Sequence, residues 1–86
     1  MTNIDLLRKR LLYQSHHRGI KEMDILLGGF GQQFIPDMTL EELLHFEDLL
    51  AFPDQEIYGW LFENAPRSEK VSHELMERLD DFINNK

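Results

Sequence analysis

The sequence predicts an all-α fold: one domain over residues 1–86, built as a compact bundle of about five helices. Three observations predict it. Apolar residues recur at spacings of three and four through most of the chain. Glycines, prolines and capping residues cut that pattern into segments of helical length. No run alternates apolar with polar residues between turn signals, as a strand would. Internal repeats and low-complexity linkers are also missing from the sequence.

The first helix is expected over about residues 3–16. Thr2 followed by Asp5 forms a capping box, and Ile4, Leu7 and Leu11 recur behind it, with Leu6 and Leu12 alongside. Arg8, Lys9 and Arg10 take the polar face. Gly19 reads as the turn into a second helix over about 19–33, because a residue without a Cβ accepts positive φ. Ile20, Met23, Leu26, Leu27 and Phe30 keep helical spacing there. Gly28, Gly29 and Gly31 predict a soft last turn, each costing ~1 kcal/mol against alanine inside a helix. The run Gly29-Phe30-Gly31-Gln32-Gln33-Phe34 lacks the third glycine of a dinucleotide loop and follows a helix rather than a strand.

Pro36 breaks the pattern, and Thr39-Leu40-Glu41-Glu42 opens a third helix with a capping box. Met38, just before the cap, is placed to pack on Leu43. This helix ends by Pro53, and Asp54 is expected to cap a short, ring-rich fourth helix carrying Ile57, Tyr58, Trp60, Leu61 and Phe62. So many large side chains in a small domain belong mainly in the core. After Asn64-Ala65-Pro66, Ser68 is expected to start a last helix through Val71, Leu75, Met76, Leu79, Phe82 and Ile83, with a fraying tail at Asn84-Asn85-Lys86.

Composition narrows the function. A chain of 86 residues buries only somewhat over ~60% of its unfolded surface, so the core is thin. There is no cysteine, which removes disulfides and thiol chemistry. No apolar run approaches the ~18 residues of a membrane span, and neither a signal h-region nor an Arg-rich presequence is visible. The expectation is a cytoplasmic chain of bacterial type, or an already processed one. Net charge is −7, divided as +3 over residues 1–22 and −10 over residues 23–86. Nucleic acid is therefore not expected as a partner, since phosphate binding needs clustered cations. The basic end could face an acidic protein surface.

Catalytic and metal constellations are missing from the sequence. Adjacent His16 and His17 diverge by ~100° on a helix, and His45 and His73 stand alone. Ser15, Ser68 and Ser72 have no nucleophile elbow around them. Glu22 with His17 is the nearest approach to an acid–base pair, yet a bundle of this size is expected to lack a ~300 Å3 substrate cavity. The chain is not expected to be an enzyme, to bind a cofactor of its own or to hold a metal.

The stretch His16-His17-Arg18-Gly19-Ile20-Lys21-Glu22-Met23-Asp24 is denser in charge than a helix connection needs. On a helix entered at Gly19, Arg18 and Glu22 would share a face. As a stabilising pair they are badly ordered, because a cation in a first turn opposes the helix dipole. Arg18-Gly19-x-x-Glu22 followed by Asp24 resembles the signature of the SdhE family of succinate dehydrogenase assembly factors. Leu11-Leu12-Tyr13 before it, and Pro53-Asp54-x-x-Ile57-Tyr58-x-Trp60-Leu61 after it, extend the resemblance over most of the chain. The glycine-rich run at 28–31 departs from the family pattern.

The resemblance implies a chaperone for the flavoprotein subunit of succinate dehydrogenase, with fumarate reductase as a further client. It implies promotion of a covalent bond between the isoalloxazine 8α-methyl of FAD and a histidine of that subunit, FAD remaining the client's cofactor. Arg18, Gly19 and Glu22 would then form the partner-binding patch, its charges aimed outward, with His17, Lys21 and Asp24 around it. The alternative is a regulatory binding module, antitoxin-like or linked to cell division, acting on a small membrane protein.

Overall fold

A computed structural model describes residues 3–85. The order is α1 (Ile4–His16), α2 (Lys21–Phe34), a 3-10 turn (Ile35–Asp37), α3 (Leu40–Leu50), α4 (Asp54–Phe62) and α5 (His73–Asn84). Among the described residues there is no strand. The radius of gyration, 12.2 Å, matches the ~12 Å of a compact chain this long.

Helix starts follow local chemistry, with three departures from expectation. Asn3 caps α1, its side chain accepting from the Asp5 and Leu6 N–H groups; Thr2, the expected cap, lies outside the described residues. Thr39 and Glu42 form the expected capping box on α3. Met38 and Leu43 are both fully enclosed in the core beside it. Pro53, not Asp54, is the N-cap of α4. A carboxylate one position inside the helix points away from the cap site and is free to bind elsewhere. Ser72, not Ser68, caps α5 by accepting from the Leu75 N–H, while Ser68 closes a turn with the Lys70 N–H. Asn64, at φ 55°, turns the chain out of α4, and the Ala65 N–H bonds the Gly59 carbonyl at 3.0 Å. Asn84 closes α5 and Asn85 is its C-cap; Lys86 lies outside the described residues.

One core joins the elements, with Leu11, Met23, Leu27, Phe30, Leu43, Phe46, Leu49, Ile57, Met76 and Leu79 shut from solvent. Helix α1 packs most closely on α2 and also on α3, and α5 lies against α2 and α3. Phe30 is the hub of a ring cluster, with centroids 4.8, 5.7 and 5.6 Å from Phe34, Phe46 and Phe82. Trp60 is buried and Tyr58 half-buried, so α4 is chiefly core, though Phe62 remains exposed.

The glycines of α2 do not interrupt it; the helix runs unbroken into the 3-10 turn. They set how closely α1 can approach. A Cβ on Gly31 would lie 2.8 Å from the Ser15 hydroxyl, and one on Gly28 2.5 Å from the His16 ring. Ser15 is fully buried and donates to the Leu12 carbonyl, so it has nowhere to go.

Candidate functional site

The segment between α1 and α2, residues 17–20, is organised by a residue distant in sequence. Asp54 accepts from Arg18 Nε at 2.5 Å and from the Ile20 N–H at 2.9 Å. The rest of the Arg18 guanidinium donates to the Leu50 carbonyl at 2.7 Å and the Phe52 carbonyl at 2.8 Å. Those carbonyls sit at the end of α3, where a cation is favoured by the orphan acceptors of a helix C-terminus. Asp24 completes the frame by accepting from the Arg18 N–H at 3.0 Å. One arginine thus ties the exit of α1 to the end of α3 and the start of α4.

The Arg18 and Asp54 side chains are only 11% and 10% exposed, so this is a nearly buried ion pair. Such a pair stands only when its remaining donors and acceptors are satisfied, as they are here. Burial pushes the Asp54 carboxyl upward, but the Ile20 N–H, the bond and charge of Arg18, and the Gly19 N–H outweigh it and hold it below the usual aspartate value.

Two expectations about this segment are corrected. Arg18 and Glu22 do not pair: α2 begins at Lys21, so Arg18 precedes the helix and its guanidinium turns inward. Gly19 is not in a left-handed conformation, since no described glycine has positive φ. The bend is held by Asp54 and Asp24 instead of by glycine's freedom. A Cβ on Gly19 would make an ordinary 3.7 Å contact with Asp54 Oδ2.

What the frame presents outward is His17, Gly19, Lys21 and Glu22, all exposed, with Asp24 half-buried behind them. Among the described residues Glu22 forms no salt bridge. The His17 ring stacks on Tyr13, with centroids 3.8 Å apart and planes 17° from parallel, and its Nδ1 lies 2.7 Å from the Tyr13 carbonyl. A carbonyl only accepts, so Nδ1 is the donor in this contact. Asp54 was expected as a helix cap and as part of the second stretch of the resemblance, but not as the partner of Arg18. Its 36-residue separation from Arg18 leaves no periodic signal.

The surface has more concavity than a thin-cored bundle suggested. A groove of about 440 Å3 lies between α1 and the end of α3, lined by Arg10, Tyr13, Gln14, His17, Arg18 and Glu47 among others. Arg10 and Glu47 are ion-paired across it. A second hollow of about 360 Å3 runs beside Arg8, Lys9 and Pro36. Both are open to solvent, and Glu22 lines neither, so His17 and Glu22 are not assembled as an acid–base pair. His73 pairs with Glu77 on the surface at 2.9 Å. Among the described residues no three His, Asp or Glu side chains converge as a metal would require.

A family model described as flavinator of succinate dehydrogenase matches residues 9–83. The chain is 39% identical over 77 residues to the FAD assembly factor SdhE of Acetobacter pasteurianus, covering 90% of this chain and 71% of that protein. It is 42% identical to the mitochondrial succinate dehydrogenase assembly factor 2 of Candida glabrata, over 98% of this chain and 58% of the relative. With the assembly factor 2 of Dictyostelium discoideum it shares 35% identity, over 99% and 60%. The chain thus spans somewhat over half the length of these mitochondrial relatives.

Proposed function

The chain belongs to the family of succinate dehydrogenase flavinators, and from that premise we propose that it binds the flavoprotein subunit of succinate dehydrogenase and promotes covalent attachment of FAD to it. The contact surface in this reading is the turn that Asp54 and Arg18 hold rigid. His17, Gly19, Lys21 and Glu22 face the client, while Arg18 and Asp24 act from behind as its support. The observation that carries the reading is the exposed, salt-bridge-free Glu22 beside a backbone fixed from within. A turn already ordered before docking loses little entropy on binding.

The chain supplies no reacting group in this account. Its effect is to favour an arrangement of the client in which FAD and the acceptor side chain are held in reactive geometry, by orientation and population shift. FAD stays with the client throughout, and the factor is not an enzyme in the usual sense. Fumarate reductase flavoprotein is a second client of the same surface. Action in the cytoplasm accords with the likeness to the bacterial FAD assembly factor. No described helix is long and apolar enough to cross a membrane.

Family membership supports assembly over the regulatory alternative, an antitoxin-like or division-linked module. Pull-down with the tagged chain separates them: the flavoprotein subunit is expected, and recovery of a small membrane protein in its place would favour the alternative. Titration of FAD into the isolated chain is expected to give no saturable flavin signal.

A further inference from the structure

Residues 25–36, from Ile25 to Pro36, contain no charged residue and no histidine, although 29% of the chain is charged. Much of this stretch is not interior. On α2 the buried side is Met23, Leu26, Leu27 and Phe30. The opposite side carries Ile25, 59% exposed, then half-buried Gly29 and exposed Gln32 and Gln33. At 3.6 residues per turn these four fall on one stripe with Lys21 and Glu22. The stripe is ionic only at its first turn, next to Gly19, and neutral for the remaining three.

Loss of charge with a large aliphatic left in water is the composition of an interface centre, and charge belongs at its rim. We propose that the neutral face of α2, centred on Ile25, is the middle of the docking surface, with Lys21 and Glu22 at its edge. This deepens the reading of the turn as the flavoprotein contact and rests on it. The occupant is an uncharged, largely apolar surface of the flavoprotein subunit lying beside the charged one that receives the turn.

A second copy of the chain is a poorer occupant. The face is ~21 Å long and roughly 10 Å wide, so two copies would bury about 400 Å2, against the ~1,200–2,000 Å2 of stable interfaces. Each copy also carries −7, which opposes close approach. A larger partner reaching from the stripe over the turn meets the size requirement.

The test measures dissociation constants of the full chain for the purified flavoprotein subunit lacking covalent FAD. Ile25→Glu is expected to weaken binding by roughly tenfold to a hundredfold, Gln33→Glu and Ile25→Ser by less, and Gln55→Glu, at an exposed position of α4, not at all. Circular dichroism melts should be close to wild type for all four, since each site is exposed. If Ile25→Glu and Gln33→Glu bind within twofold of wild type while Glu22→Ala does not, the stripe is refuted and the turn stands. If the wild-type chain fails to bind the subunit, both readings fall. A solution dimer that Ile25→Glu dissolves would overturn the proposal in favour of self-association.

Discussion

Arg18 Nε and Asp54 Oδ1 lie 2.5 Å apart across 36 residues of sequence. This pair converts a flexible connection into a fixed platform, because each partner makes further bonds to the other's surroundings. Arg18 reaches the Leu50 and Phe52 carbonyls, and Asp54 reaches the Ile20 N–H. Breaking a pair this deeply enclosed leaves an uncompensated charge behind. Arg18→Ala or Asp54→Ala should therefore destabilise the fold by about 3 kcal/mol, read from urea midpoints. A loss under 0.5 kcal/mol would show that water replaces the pair.

The same carboxyl sets a pH dependence. Its folded value is depressed, so as pH falls the unfolded chain binds the proton first. The stabilisation is complete above the ordinary aspartate range and disappears as pH drops through the lower folded value. Asp54→Asn should thus be less stable than wild type at pH 7, with the gap closing on acidification. A gap that stays constant down to pH 2 would contradict the assignment.

The three glycines of α2 should respond differently to alanine. Gly29 has room, its added Cβ meeting Phe82 at an ordinary 3.6 Å, so Gly29→Ala should stabilise by ~0.5–1 kcal/mol through helix propensity. Gly31→Ala drives a methyl into buried Ser15 and should cost ~1–3 kcal/mol. At Gly28 the obstacle is an exposed His16 ring that can swing aside, which places Gly28→Ala between the two. Thermal melts of the three variants give the order directly.

Gly19 separates backbone need from docking need. It has no positive φ and space for a Cβ, so Gly19→Ala should fold with a midpoint near wild type. Gly19→Arg puts a long cation on the presented surface beside Asp54 and should abolish client binding with most helicity retained. Equal client affinity for the two variants would argue that this position is not in the contact.

The periodic segments were legible in the sequence because period, caps and breakers agreed there. Thr39 with Glu42 behaves as its spacing predicts, and Leu7 and Leu11 of α1 and Leu43, Phe46, Leu49 and Leu50 of α3 are buried, whereas Leu6, Leu40 and Leu44 of the same rows stay exposed. The frame of the candidate site was not legible. Local spacing placed Arg18 and Glu22 on one face, but the partner that decides Arg18's orientation arrives from α4. Spacing also cannot show that a glycine admits a neighbour, as Gly28 admits His16 and Gly31 admits Ser15. In both cases the deciding contact lies between elements, where sequence separation carries no period.

Covalent flavin on the succinate dehydrogenase flavoprotein is seen as in-gel fluorescence, and it should be restored in a deletion strain by the wild-type chain. Glu22 is exposed and its side chain forms no hydrogen bond or salt bridge among the described residues, so Glu22→Ala should leave stability within about 0.5 kcal/mol. Glu22→Ala, expressed at wild-type level, should give a much weaker flavin band. A band of full intensity with that variant would contradict the claim that the turn between α1 and α2 is the acting surface.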